Sequence, residues 1–209
     1  MSARGELEAE LEGAVRAVRA GEVIGIPTDT VYGIGIDPSR PDATRRLFAA
    51  KGRPEHLALP VLVATVQDAG DLAELDERAR RLIASFWPGP LTLVLRRRPG
   101  VVLHLGGDET TVGLRCPGQP IARRLLERTG PLAVTSANRH GEPPATTAEA
   151  LAAVLGGAVA VVVDGGTCGG APSSVLSLVG PEPVLLRNGA LSAAELEPVW
   201  STAPPGDVG

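Results

Sequence analysis

A single α/β domain is what the sequence predicts, and three observations point to it. Short runs rich in Val, Leu and Ile alternate with stretches whose apolar residues recur at helical spacing. No charged or proline-rich segment divides the 209 residues, and no internal repeat is visible. Aromatic residues are only 2% against 44% hydrophobic residues, so the core must be Val, Leu, Ile and Ala. The order of strands in the sheet does not follow from this pattern.

The elements are read in chain order. Leu7, Leu11, Val15 and Val18 place a helix over residues 5–20, ended by Gly21. Residues 23–26 read as a short buried strand, stopped by Pro27, with a loop over 28–35. A helix over 42–51 and a strand over 59–66 follow. Ala79, Leu82, Ile83 and Phe86 mark a helix ended by Trp87-Pro88-Gly89-Pro90. Strands are expected at 91–95, 111–114 and 132–135, with a helix at 119–128 and turns over 99–110. Thr146 and Glu149 form a capping-box pattern for a helix reaching Leu155. Strands at 159–163, 174–179 and 184–187 come next. Ser192 and Glu195 cap a final helix, so the domain spans 5–200 and residues from Ser201 read as a loose, flexible tail.

Bulk chemistry narrows the function. The formal charge is −4, which argues against a broad nonspecific nucleic-acid surface. Cys116 and Cys168 are far apart and lack metal spacing, which suits a reducing, cytoplasmic setting; no metal site is expected. No apolar run approaches the roughly 18 residues of a membrane span, and the N-terminus lacks the plan of a signal peptide. Of 20 cationic side chains, one is a lysine, Lys51. Against so much arginine, a retained lysine marks a place where a compact ammonium is needed, or chance.

The common catalytic frameworks are missing. Gly33-Ile34-Gly35 lacks the third glycine of a dinucleotide fingerprint, and residues 165–170 are not followed by Lys-Ser or Lys-Thr. The histidines His56, His104 and His140 have no motif spacing and read as exposed loop residues. Three other segments carry candidate chemistry. Pro27-Thr28-Asp29-Thr30-Val31-Tyr32-Gly33 packs hydroxyls, a carboxylate and a phenol at a strand end, where α/β proteins place ligands, although a capped polar turn explains the same residues. Lys51-Gly52-Arg53-Pro54 sets an ammonium and a guanidinium fork within reach of one polyphosphate, or simply pairs cations with a helix C-terminus. Thr135-Ser136-Ala137-Asn138 offers a hydroxyl and an amide to one ligand, or makes an Asx turn.

Taken together, PTDTVYG, KGRP, WPGPLTLVL, VGLRCP, TSANRHGEP, a Gly-rich turn before SSV, and LLRNG closely resemble the YrdC-like threonylcarbamoyl-AMP synthase family over about residues 10–197. The resemblance implies one twisted mixed sheet with helices around a large, concave, positively charged cavity. It implies an enzyme that joins L-threonine, bicarbonate or CO2, and ATP into threonylcarbamoyl-AMP and pyrophosphate, for N6-threonylcarbamoyladenosine in tRNA. Mg2+ would arrive on the nucleotide phosphates, and other tRNA-modifying proteins would take the product.

By the same resemblance, Lys51 and Arg53 hold the phosphates and the reacting carboxylate and carry catalysis. Lys51, Arg53, Thr111, Ser136, Asn138 and Arg187 bind ATP, and Thr28, Tyr32, Arg115, Thr135 and Ser173 surround the threonine. Ser174 stands where the family often has threonine, and residues 55–59 lack a proline that many members carry. The sequence ends soon after Gly189, which implies the short form. The alternative is a paralogue that binds RNA weakly, or a nucleotide, without this activity.

Overall fold

The structure, a computed structural model, describes residues 3–139 and 141–201. Seven α-helices and nine strands alternate among them. The first half comprises α1 (Ala3–Arg19), β1 (Ile24–Ile26), β2 (Gly33–Ile36), α2 (Pro41–Lys51), β3 (Val61–Leu62), α3 (Val66–Leu72), α4 (Glu77–Phe86) and β4 (Leu91–Arg96). There follow β5 (Thr111–Arg115), α5 (Pro120–Thr129), β6 (Leu132–Ser136), α6 (Ala148–Leu155), a 3-10 turn (Gly156–Ala158), β7 (Val161–Val162), β8 (Ser174–Ser177), β9 (Val184–Arg187) and α7 (Ala193–Ser201). The strands form one sheet in the order β7-β1-β2-β6-β3-β5-β4-β8-β9. Pairings are mixed: β1–β7, β3–β5 and β4–β8 are parallel, and the rest antiparallel. This is the α/β domain that the element pattern predicts, with the mixed sheet that the family resemblance implies.

Helices close the two faces unequally. On one face, Leu47 and Phe48 of α2, Leu82 and Ile83 of α4, Leu151 of α6 and Leu196 of α7 share a core with Ile34, Val61, Leu93, Leu114 and Leu176. On the other, Leu11 and Val18 of α1 and Leu125 and Leu126 of α5 cover Ile24, Ile26, Leu132 and Val134. That second core holds no residue of β4, β5, β8 or β9. Half of the face is therefore left without a helix, and its outward residues include Thr92, Gly113 and Arg115 by strand alternation.

Several boundaries depart from the sequence reading, each for a local reason. The expected loop over 28–35 ends early, because Gly33–Ile36 pairs with β6 and β1. Gly33 and Gly35 carry no side chains on the face turned to Val134, so no alternation shows there. The expected strand over 59–66 shrinks to Val61–Leu62, and Val66 opens α3 instead: Thr65 and Asp68 form a reciprocal capping box. The cap of α6 is Thr147, one residue later than expected, its hydroxyl accepting from the Ala150 amide. The strand at 159–163 narrows to Val161–Val162 after the 3-10 turn. The cap by Ser192 and Glu195 is present, and α7 continues to Ser201. The expected tail beyond it, residues 202–209, lies outside the described residues, as does His140.

Gly33 is where the sheet and the bare half-face meet. A Cβ there would lie 2.5 Å from Val134 Cγ1 and 3.2 Å from the Thr135 carbonyl oxygen. Val134 is β-branched and cannot swing aside. Gly33→Val is expected to lower unfolding stability by about 1–3 kcal/mol, read from urea denaturation midpoints at unchanged m-value.

Candidate active site

The turn Thr28–Tyr32 is held by a chain of hydrogen bonds whose direction can be deduced. The Thr28 hydroxyl donates to the Val31 carbonyl at 2.6 Å. Its one proton is thereby occupied, so the 2.9 Å contact with Thr30 Oγ1 must have Thr30 as donor. Thr30 Oγ1 in turn accepts from Arg115 at 3.0 Å. Thr28 Oγ1 also accepts from the Thr30 and Val31 amides. Its hydroxyl is saturated, and its observed work is to shape the turn.

Arg115 is the other end of that chain. It is 5% exposed. Its Nε donates to the Gly89 carbonyl at 2.9 Å, and a terminal nitrogen donates to Asp29 Oδ1 at 2.6 Å. Asp29 Oδ1 also accepts from the Gly118 amide. The WPGP segment thus has a structural role. Trp87 Nε1 bonds the Leu91 carbonyl, the Gly89 amide bonds the Cys116 carbonyl, and the Gly89 carbonyl aims Arg115. Trp87–Pro88 is a cis peptide. Burial lowers the Arg115 pKa from its usual value, while Asp29 opposes the shift. Three of the five guanidinium hydrogens are accounted for; the other two have no acceptor among the described residues.

Lys51, at the last position of α2, is 4% exposed. Gly52 closes that helix in the left-handed conformation and turns the chain toward Arg53. The Lys51 ammonium lies 2.6 Å from the Ser136 carbonyl, 3.2 Å from Ser136 Oγ, 3.1 Å from the Asn138 carbonyl and 2.8 Å from Asn138 Oδ1. All four are neutral oxygens. Burial first, and the Arg53 charge second, bring its pKa down to about 8. Ser136 Oγ donates to Asn138 Oδ1 at 2.6 Å, and Asn138 Nδ2 donates to the Arg139 and Glu142 carbonyls. The Ser-x-Asn pair is thus wrapped around the lysine and bolts its own loop.

Arg53 and Arg187 complete the charge. Arg53 donates to the Leu57 and Ala58 carbonyls, curling the loop after α2 around itself. Arg187 donates to the Ser173 carbonyl and to Ser173 Oγ, both at 2.9 Å, and Ser173 Oγ meets Thr92 Oγ1 at 3.0 Å. Burial lowers the pKa of both arginines, and Arg187 adds to the shift at Arg53. Neither arginine, nor Lys51, forms an ion pair with a carboxylate among the described residues.

These groups converge on a cavity of about 330 Å³ over the bare half-face. Of the residues expected at the site, Thr28, Tyr32, Arg53, Arg115, Thr135, Ser136, Asn138, Ser173 and Arg187 line it. Lys51 stands immediately behind Ser136 and Asn138. Thr111 does not line it. It begins β5 on the same strand face as Arg115, four residues and roughly 13 Å away. Tyr32 touches the cavity, but its phenol is turned to Asp164 and the Gly166 carbonyl and accepts from the Gly165 amide, pinning the Gly-rich turn. Burial raises its pKa well above the usual phenol value.

The wall also includes Thr30, Thr92 and Glu142, none of them among the expected site residues. Thr92 had a signal: it is a lone hydroxyl inside an apolar strand. Glu142 is the one carboxylate among the lining residues, set against three arginines. The cavity is positive in a chain whose formal charge is −4. A buried ammonium without a counterion, three arginines of which only Arg115 is ion-paired, and a hydroxyl-lined wall form a receptor for a polyanion and a small polar molecule.

Comparison with known proteins agrees with that chemistry. The family model for Sua5, YciO and YrdC, described as "Telomere recombination", matches residues 16–189. The chain is 41% identical over 188 residues to a putative threonylcarbamoyl-AMP synthase of Mycobacterium tuberculosis, covering 89% of this chain and 87% of that one. It is 40% identical over 190 residues to the threonylcarbamoyl-AMP synthase of Bacillus subtilis, covering 89% of this chain but 55% of that one. Among solved structures, P. abyssi Sua5 complexed with L-threonine superposes with a TM-score of 0.87 at 38% identity, over 91% of this chain and 57% of that chain. E. coli YciO gives 0.80 at 28% identity, over 88% and 90%. The chain thus spans little more than half of the longer relatives and most of the shorter ones. On the match across residues 16–189 and these identities, the chain belongs to the Sua5–YciO–YrdC family.

Proposed function

We propose that this chain makes threonylcarbamoyl-AMP from L-threonine, bicarbonate or CO2, and ATP, releasing pyrophosphate. One observation carries the reading: a buried ammonium and three arginines surround a cavity whose other wall is lined with hydroxyls. Two functions thereby meet in one cavity, joined by the hydrogen bonds between Arg187 and Ser173. The Lys51, Arg53 and Arg187 side suits a triphosphate. The Arg115, Ser173 and Thr135 side suits an amino acid, whose carboxylate needs a cation. Relatives at about 40% identity carry the synthase name, and P. abyssi Sua5 was solved with L-threonine.

The reaction needs no protein nucleophile. The threonine amine takes up CO2 as an N-carboxylate and releases a proton to solvent. A carboxylate oxygen then bonds to the α-phosphorus as the bond to pyrophosphate breaks. Both reactants are anions, so bringing them together is the main barrier, and fixed cations lower it. Lys51 contributes by holding the Ser136–Asn138 loop and by its own charge, whereas Arg53 and Arg187 reach the cavity directly.

Mg2+ fits this wall as a passenger on the nucleotide. No cluster of three His, Cys, Asp or Glu exists among the described residues, and Glu142 alone offers a carboxylate at the cavity. Its ligands would be triphosphate oxygens, where it supplies further charge neutralisation. Among the described residues, no helix is long and apolar enough to cross a membrane. Transfer of the product to tRNA-modifying proteins belongs to the same proposal.

Purified protein is expected to release pyrophosphate only when ATP, L-threonine and bicarbonate are all present. Release without threonine, or none, overturns the reading. Arg53→Ala and Lys51→Ala are each expected to lower kcat by about 100-fold or more, read from single-turnover pyrophosphate release.

The Lys51 pKa of about 8 gives a second test. A bound polyanion favours the ammonium and raises that pKa. Near pH 8, ATP binding is therefore expected to take up a fraction of a proton. At about pH 6 the lysine is already charged and uptake vanishes. Calorimetric titration in buffers of different ionisation heat measures this, and Lys51→Met is expected to abolish the uptake.

A further inference from the structure

The hydroxyls along the floor of the cavity differ in how their protons are spent. The Thr30–Thr28 chain runs from Arg115 to the Val31 carbonyl and has no proton left over. The chain on the other side begins at Arg187 and does not close. A guanidinium only donates, so Ser173 Oγ is the acceptor of the Arg187 bond. Ser173 and Thr92 share one further hydrogen bond at 3.0 Å. The two hydroxyls bring two protons. One lies between the oxygens, and the other has no acceptor among the described residues. Donation into Ser173 makes its own hydroxyl a stronger donor. That favours the order Arg187 to Ser173 to Thr92, which leaves the Thr92 proton unspent on a residue that lines the cavity.

Position says what meets that proton. β4 and β5 pair Leu93 with Leu114, and the next step of the register sets Thr92 opposite Arg115. β4 and β8 pair Thr92 with Val175, and β8 and β9 pair Val175 with Arg187. Arg115, Thr92, Val175 and Arg187 thus form one row across four adjacent strands. Thr92 is the one hydroxyl of the row, and the register sets it opposite Arg115. It is 4% exposed, and it lines the cavity. The floor therefore offers N–H and O–H donors side by side, the complement of a carboxylate.

We infer that Thr92 is a further substrate-binding residue, donating its hydroxyl proton to a carboxylate oxygen of the amino-acid substrate beside Arg115, with Arg187 and Ser173 setting the direction of that donation. This rests on the threonine-binding reading above and adds a residue to it.

The experiment measures binding of L-threonine and of L-threoninol, which lacks the carboxylate, to the full chain by calorimetry. Thr92→Val keeps the shape and removes the hydroxyl; Thr92→Ala makes the same comparison if the valine does not fold. The expected result is a rise in Kd for L-threonine of about 10- to 100-fold, a smaller change for threoninol, and an unchanged Kd for ATP. Thr92→Ser is expected to restore threonine affinity. An unchanged Kd for threonine overturns the assignment, as does a serine variant as weak as the valine one. Equal losses for threonine and threoninol also overturn it, since the hydroxyl would then face another part of the ligand. Wild-type protein that binds no L-threonine fails at the earlier step and removes the threonine-binding reading itself.

Discussion

A cation buried among neutral oxygens is the constraint around which this site is arranged. Lys51 has four oxygen neighbours and no carboxylate. Removing an ammonium from water costs several kcal/mol unless its hydrogens are well placed. The fold supplies that placement from two directions. The last turn of α2 delivers the side chain, and the end of β6 bends back so that Ser136 and Asn138 present both carbonyls and both side-chain oxygens. The charge is tolerated but not cancelled, and the depressed pKa registers the remainder. An anion arriving at the cavity meets a Lys51 charge that no ion pair among the described residues cancels.

The arginines obey the same logic with different means. Arg115 is aimed by a carboxylate, a hydroxyl and a carbonyl, so its plane cannot rotate. Arg53 and Arg187 are aimed by carbonyls alone, apart from Ser173 Oγ. In the reading proposed above, the neutralised arginine serves the amino acid and the unneutralised Arg53 the nucleotide, with Arg187 reaching between them through Ser173. That division matches the charges of the proposed ligands, one carboxylate against a triphosphate.

Much of this is legible in the sequence, because both halves of the site are short local motifs. Lys51-x-Arg53, Ser136-x-Asn138 and the WPGP turn each declare themselves within five residues. Helices with strong apolar stripes, such as α4 and α5, lie within two residues of where their spacing puts them. The features that escape are set by partners far along the chain. β2 reads as loop because its glycines answer to Val134, about a hundred residues later. Thr92 stands out in the sequence only as a lone hydroxyl within an apolar strand, because its importance comes from Ser173 and Arg187. Thr28 and Tyr32 read as ligand contacts, yet their hydroxyl hydrogens end on the protein. A motif shows which groups are nearby; only the fold shows which protons remain free.

The uneven coverage of the sheet has a consequence for how such a pocket changes over time. Its base is a row of side chains, one from each of several strands, and the backbone beneath them is fixed by ladder bonds. A substitution in the row alters what the base recognises without moving a helix or a loop. Neighbours in the row stand opposite one another in the ladder, so a new preference is reached by paired replacements on adjacent strands. Selectivity in this architecture is thus written across the strands, and stability along them.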